Sequence, residues 1–285
     1  MLLPALVGFI IFQYIPSIGG FFVAFTNYNL VDGFFKSPFV GFKWFIQFVK
    51  DPFFFRLIRN TLLIGIYGFL WGYPAPIILA LLMNEIKNKF FKRLTQTITY
   101  LPHFISTVIV VGMLYNFFGY TGLVNQVLKC LGMKSVAFVG NAKWFRTLYI
   151  GSGIWQGVGW GTILYLATLS GIDPQLYEAA IIDGAGRFKQ ALHVTLPGMA
   201  PVIVVTIILS VSGLLNVGFE KVYLMYSPAI YDVADVIATY VYRRGIEGMD
   251  FSFGGAVGLF NSFVSLVLLL MANYISRQVS ENSLW

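Results

Sequence analysis

Residues 177–201 read YEAAIIDGAGRFKQALHVTLPGMAP, a polar segment with several glycines between two long apolar runs. Its distinctive residues fall at three points: Glu178-Ala179-Ala180, Asp183-Gly184-Ala185 and Leu196-Pro197. A segment of this composition neither crosses a bilayer nor forms a core of its own, because spanning segments are continuous apolar runs. In a membrane protein, such an exposed loop is expected to contact a partner in the aqueous phase.

The rest of the chain has the composition of a membrane protein. Of its 285 residues, 58% are hydrophobic and only 11% are charged, whereas soluble domains have about 25% charged residues. Each of six runs is long enough for a spanning helix of about 20 residues that satisfies its own backbone hydrogen bonds. These runs cover about 2–26, 61–84, 97–118, 147–170, 200–219 and 255–274. We therefore predict an all-α polytopic membrane protein with one transmembrane domain over residues 1–285.

The charge pattern excludes several functions. A net charge of +7 suits loops that face anionic lipid head groups, and no pattern of a nucleic-acid-binding module is present. The single cysteine, Cys130, excludes an internal disulfide. His103 has no other metal-ligating side chain near it in sequence, so we expect no metal site. No nucleophile–base constellation indicates an enzyme.

The middles of the six runs contain no Asp, Glu, Lys or Arg. Pumps and ion-coupled carriers place ionisable groups at membrane depth, so this chain is not expected to use an ion gradient. It also lacks the GxxxxGK[ST] phosphate-binding loop. A transporter of this kind needs a partner that supplies energy.

Glycines and prolines occur at particular positions within the apolar runs. Gly153, Gly157 and Gly161 recur at intervals of four in the fourth run, which predicts close packing of another helix against that face. Pro74 and Pro76 in the second run and Pro102 in the third predict kinks. These features suit a movable pathway and a static bundle equally well.

Basic residues do not decide the orientation. If both termini are cytoplasmic, the inner segments hold seven Lys and Arg and the longer outer segments hold the other twelve, so their densities are nearly level. The densest cluster, KNKFFKR at 87–93, favours a cytoplasmic N-terminus.

The polar segment resembles the EAA motif of permease subunits of binding-protein-dependent ABC importers. The positions that carry the resemblance are Glu178, Ala179, Ala180, Asp183, Gly184, Ala185, Leu196 and Pro197. We expect Gly184 and Gly186 to form a turn between two short helices, Asp183 to cap the second helix, and Pro197 to end the segment before the fifth span. Ala191 departs from the family, which often has a bulky aromatic residue there.

The resemblance extends over the whole chain and implies its partners and place. A type I importer has a core of six spans, with the coupling loop, here 171–199, in a cleft of a cytoplasmic ATPase. It implies a second homologous permease, a dimer of ATPase subunits that carries ATP and Mg, and an external solute-binding protein. The expected location is the bacterial cytoplasmic membrane, with both termini inside.

A second resemblance concerns the cargo. Residues 218–246, GFEKVYLMYSPAIYDVADVIATYVYRRGI, look like permeases for acidic oligosaccharides such as aldouronates and alginate fragments. Aromatic faces and hydrogen-bonding side chains bind sugars, which makes candidates of Tyr115, Asn116, Trp155, Asn216 and Glu220. The alternatives are lipid-interface aromatics, interhelical amides and, for Glu220, a solvated helix end. Arg243 and Arg244 suit carboxylates or interfacial anchoring.

Two other functions stay open from the residues alone. The chain could be a self-sufficient channel or secondary carrier for a small polar solute, or a membrane anchor for a cytoplasmic complex. We expect instead a permease subunit that moves oligosaccharides by alternating access.

Overall fold

The structure, a computed structural model, describes residues 2–31 and 33–279. Within those ranges the chain is helical, and its one extended pairing is an isolated bridge between Thr26 and Phe39. The main helices are α1 (Leu3–Phe25), α2 (Phe54–Asn84), α3 (Lys89–Tyr100), α4 (Thr107–Phe118), α5 (Ala142–Leu169), α6 (Pro174–Ile182), α7 (Arg187–Ser212), α8 (Phe219–Met225) and α9 (Phe251–Val279). Shorter helices cover Gly33–Lys36, Lys43–Val49, Leu101–Phe104, Leu123–Cys130, Pro228–Ile230, Tyr231–Ala234, Ile237–Val241 and Tyr242–Glu247.

Five helical stretches in the described part of the chain are long and apolar enough to span a membrane. They are Leu3–Phe25, Phe54–Asn84, Thr107–Cys130, Arg187–Ser212 and Phe251–Gln278. The predicted first, second, fifth and sixth spans overlap four of them. Pro74 and Pro76 do not break the second, because helical geometry continues through Tyr73.

The fourth predicted span, 147–170, lies in α5, whose 28 residues extend over about 42 Å at 1.5 Å per residue. Its length suffices for a span, but its composition is less apolar than that of the five. The physical reason is its central position: α5 contacts α2, α3, α7 and α8. A helix surrounded by protein needs less apolar surface than one that faces lipid.

The third predicted span, 97–118, is wrong as a single helix. Its first part belongs to α3, Leu101–Phe104 forms a 3₁₀ turn that contains Pro102, and α4 begins afresh after Ser106. The Ser106 hydroxyl accepts the Ile109 N–H at 3.5 Å, as an N-cap does. The apolar stretch continues instead to Cys130.

The sequence predicts that another helix packs closely against Gly153, Gly157 and Gly161 of α5. The structure shows such packing at Gly161. A side chain at Gly161 would meet Pro76 at 2.9 Å, whereas one at Gly157 would meet nothing within 4 Å. The closest backbone approach to α5 occurs at Gly159, against the carbonyl of Thr99 on α3. The predicted face therefore borders open space along part of its length.

The connections gather at two ends of the bundle. At one end, the Trp44 indole donates to the Thr26 carbonyl at 2.9 Å, and the Tyr28 N–H donates to the Ser252 hydroxyl at 2.8 Å. At the other end, Arg187 pairs with Glu85 at 3.0 Å. This pair brings segments 85–96 and 171–199 to one side, as the predicted topology requires.

A buried carboxylate organises the first of these ends. Asp235 is fully buried and pairs with Arg243 at 2.8 Å and with Arg56 of α2 at 3.3 Å. Its backbone carbonyl accepts the side-chain amide of Asn60 at 3.0 Å, and Asn60 in turn accepts from Arg146 of α5 at 3.2 Å. The network joins α2 and α5 to the connection between α7 and α9.

We expect Asp235→Asn to destabilise this end of the bundle. Replacing the carboxylate by an amide takes the counter-ion from Arg243 and leaves Arg56 with the exposed Asp232, at a cost of about 2–4 kcal/mol. The apparent Tm of the purified complex in detergent should fall accordingly.

Asp232→Asn is the matched control. Its carboxylate is 88% exposed and lies 3.6 Å from Arg56, so its loss should cost less than about 1 kcal/mol. Equal Tm values for the two variants would contradict the proposed importance of Asp235.

Candidate functional site

The candidate coupling segment is two helices joined by a sharp turn. The Asp173 carboxylate accepts the Gln175 N–H at 2.9 Å and caps α6. At the other end, the N–H of Ala185 donates to the carbonyl of Ala180 at 2.8 Å, and that of Gly184 to Ile181 at 3.0 Å. This bond pair is the Schellman motif, which places Gly184 in the left-handed region at φ +76. The predicted turn at Gly184 is therefore present.

Two details predicted for this segment are wrong. Asp183 does not cap the second helix, α7. It is instead the C-cap residue of α6, and the residue that precedes α7 is Gly186. Pro197 does not end the segment, because the chain stays helical from Arg187 through Pro197 to Ser212. Proline is tolerated there since the π-helical turn Ala191–Thr195 widens the helix just before it.

The segment is firmly attached to the membrane helices. The hydroxyls of Tyr177 and Thr195 lie 3.1 Å apart, and a side chain at Gly198 would meet Ile172 at 2.8 Å. Met199 is fully buried in a cluster with Ile77 and Ala80 of α2 and Tyr165 and Leu169 of α5. A displacement of α6 would therefore be passed to three membrane helices.

The outer surface of the segment is exposed. Glu178 and Ala179 are exposed, and Ala180 is partly covered. Beside them, Ile182 is 86% exposed and Phe188 is 81% exposed. Apolar side chains of this size on an exposed turn indicate a contact surface for another protein.

A cleft runs between α2, α5 and the residues that follow α7. It consists of two cavities of about 660 and 620 Å³, within the usual size range of ligand pockets. Both are lined by Gly68, Gly72, Pro76, Tyr149 and Gly218, so they adjoin. Small residues on both helices keep this cleft open.

The structure places only some of the predicted pathway residues at the cleft. Asn216 lines the first cavity and Glu220 the second. Trp155 lies in a separate apolar pocket with Phe117 and Trp144. Tyr115 and Asn116 are exposed on α4 and line neither cavity of the cleft.

Sequence reasoning missed Lys221 in the wall of the second cavity. Its side chain is on α8 and is only 9% exposed, and burial lowers its pKa to about 8. In the sequence, Lys221 lies beyond the end of the fifth apolar run, and it becomes buried only because the connection that contains it folds against α5.

Comparison with known proteins identifies the family. The family described as "Binding-protein-dependent transport system inner membrane component" matches residues 72–281, which is most of the chain. The chain belongs to this family.

Two relatives match this chain over about nine tenths of their own length. The chain is 44% identical over its full length to protein LplB of Bacillus subtilis (strain 168), of which it covers 90%. It is 41% identical to the polygalacturonan/rhamnogalacturonan transport system permease protein YteP of the same strain, of which it covers 89%. Among solved structures, it matches a chain of the bacterial alginate ABC transporter in complex with alginate pentasaccharide-bound periplasmic protein. That match has a TM-score of 0.91 and 41% identity, and it covers 100% of this chain and 95% of that one.

The membership confirms several predictions. The chain is the permease component of a sugar ABC importer, with the type I fold, in the inner membrane. It works with a second permease, an ATPase and a substrate-binding protein and is itself no enzyme. The family therefore favours an importer subunit over a self-sufficient channel, a secondary carrier or an anchor.

The permease uses both predicted outer arginines for internal ion pairs. Arg243 pairs with Asp235, and Arg244 binds Asp51 at 2.8 Å and lies over the Phe253 ring at 3.9 Å. Their guanidinium groups thus already have carboxylate partners, which limits their availability for a uronate. In the described part of the permease, no cluster of three His, Cys, Asp or Glu side chains could hold a metal ion.

Proposed function

We propose that this permease subunit imports acidic, uronate-containing oligosaccharides, such as fragments of alginate, by alternating access. The observation that carries the proposal is full-length similarity at 41% identity to two proteins with polyuronate cargo. One is named a polygalacturonan/rhamnogalacturonan permease, and the other belongs to an alginate transporter. Polygalacturonan and alginate are both chains of carboxylated sugars.

The energy in this proposal comes from ATP and Mg bound by the partner ATPase. Closure of the ATPase would push on the contact surface formed by Glu178, Ala179, Ala180, Ile182 and Phe188. We propose that α6 passes the movement to α7 through Tyr177 and Thr195 and to α2 and α5 through Met199. The whole chain, residues 1–285, then acts as one transmembrane domain.

The remaining coupling residues have separate roles in the proposal. Gly184 and Ala185 set the angle between α6 and α7 through the Schellman turn. Gly186, Leu196 and Pro197 keep the path from that turn into α7 continuous, while Asp183 offers an exposed carboxylate to the ATPase.

The cargo is tested with the reconstituted complex. We expect a trigalacturonate or an alginate trisaccharide, delivered by the binding protein, to stimulate ATP hydrolysis severalfold, whereas neutral maltotriose does not. Stimulation by the neutral sugar alone would refute the proposal of an acidic cargo, but it would leave the assignment as an oligosaccharide importer intact.

Coupling is tested by variants of the contact surface. Ala179→Trp places a large side chain where the ATPase must approach closely, and Glu178→Lys reverses a charge there. We expect each variant to lower substrate-stimulated ATP hydrolysis and uptake at least tenfold while membrane insertion stays normal.

Ala5→Trp is the control for a bulky substitution, since Ala5 is exposed on α1 and far along the chain from the coupling segment. We expect its uptake to match the unmodified complex. Unimpaired uptake in Ala179→Trp and Glu178→Lys would contradict the coupling role.

The proposed orientation has both termini in the cytoplasm. In a Cys130→Ser background, cysteines replace Lys134 or Asp183, which are exposed on connections of opposite sides. A membrane-impermeant maleimide added to spheroplasts should label the cysteine at 134 and not the one at 183. The reverse pattern would overturn the orientation.

A further inference from the structure

Lys221 is a buried ammonium group without a counter-ion. In the described part of the chain, it forms no ion pair and no hydrogen bond, and its one close electrostatic partner is the ring of Tyr149, 5.1 Å away. Glu220, the adjacent residue, is exposed and does not pair with it. By contrast, the buried Asp235 at the same end of the bundle has two arginine partners. Lys221 therefore differs from Asp235 in being a buried charged group without an oppositely charged partner in the described part of the chain.

Keeping such a group buried is unfavourable. Desolvation penalises the ammonium form and lowers its pKa to about 8, so it still carries its charge near neutral pH. The quadrupole of the Tyr149 ring offsets part of the penalty. An anion that entered the cavity would offset much more, because a charge pair in a partly desolvated site is strong.

The surroundings of Lys221 leave space for such an anion. Its Nζ points towards α5 and lies 3.5 Å from the position that a Cβ on Gly153 would take. One turn further along, a side chain at Gly157 would meet nothing within 4 Å. The cavity of about 620 Å³ is also lined by Thr107 and Gln156, which can hydrogen-bond to sugar hydroxyls.

We infer that Lys221 is a specificity-determining residue of this permease: its ammonium group binds a carboxylate of the oligosaccharide as the sugar passes the glycine face of α5. The inference rests on the proposed function and assigns a residue to it. A lysine suits passage, because its ammonium is a point charge on a flexible stem that does not lock a carboxylate in a bidentate fork. Conduction needs a site that attracts its substrate and still releases it.

The test changes only the charge at position 221. In a Cys130→Ser background, Lys221→Cys is alkylated either with 2-bromoethylamine, which restores an ammonium group, or with iodoacetamide, which leaves a neutral amide of similar size. The permease is then assembled with its partner subunits and binding protein in proteoliposomes, and uptake of trigalacturonate is measured. Mass spectrometry verifies that each adduct has formed.

We expect uptake by the ammonium adduct within threefold of the Cys130→Ser complex and uptake by the neutral adduct at least tenfold lower. Thermal stability and ATP hydrolysis without substrate should be the same for both adducts, which separates a role in binding from one in folding. Equal uptake by the two adducts would overturn the inference. No uptake by the Cys130→Ser complex itself would instead contradict the proposed function.

The cavity is tested independently by Gly157→Leu. A Cβ at position 157 meets nothing within 4 Å, so we expect the protein to fold, and the leucine side chain would reduce the cavity that Gly157 and Lys221 both line. We expect at least a tenfold loss of trigalacturonate uptake. Unchanged uptake would show that the cargo does not pass this cavity and would refute the assignment. Lys129→Gln, which removes an exposed lysine that lines neither cavity of the cleft, is the control and should stay within threefold of the unmodified complex.

Discussion

The carboxylate of Asp235 is the charge on which one whole end of the bundle depends. It is fully buried, and it is acceptable there because Arg56 and Arg243 pair with it and Thr239 donates a hydrogen bond at 2.9 Å. A buried ion of this kind is costly unless every partner is in place. The arrangement therefore fixes where the connection between α7 and α9 lies against α2. The cleft wall that follows α7, including Lys221, takes its position from the same connection.

The other end of the molecule is built on a different principle. Its ion pair between Glu85 and Arg187 is exposed and contributes little. Apolar packing and a hydroxyl–hydroxyl hydrogen bond hold the candidate coupling segment instead: Met199 packs against α2 and α5, and the Thr195 hydroxyl lies 3.1 Å from that of Tyr177. This end is thus rigid toward the membrane helices and open toward solvent. That combination suits a segment that receives a push from a partner and passes it on.

Between the two ends, the helices pack closely at small residues rather than through ion pairs between charged side chains. Gly65 allows the carbonyl of Leu214 to approach α2, and Gly159 allows that of Thr99 to approach α5. At Gly157 of α5, by contrast, a Cβ would meet nothing within 4 Å, which leaves a gap. The same residue type therefore closes the bundle at some levels and opens the cleft at others, depending on which neighbour the chain brings to it.

The sequence by itself determined the class of the protein. Apolar run length predicts most of the segments that can cross a membrane, although the third predicted span divides at Pro102. The spacing from Glu178 to Pro197 predicts the coupling segment, and both signals are local. The tertiary structure alone decided which residues are buried and paired. Arg243 and Arg244 look free in the sequence, yet their carboxylates come from Asp235 and the distant Asp51. Lys221 looks like an ordinary loop lysine, yet α5 covers it. Burial and pairing arise from contacts between segments far apart in the chain, which no local pattern contains.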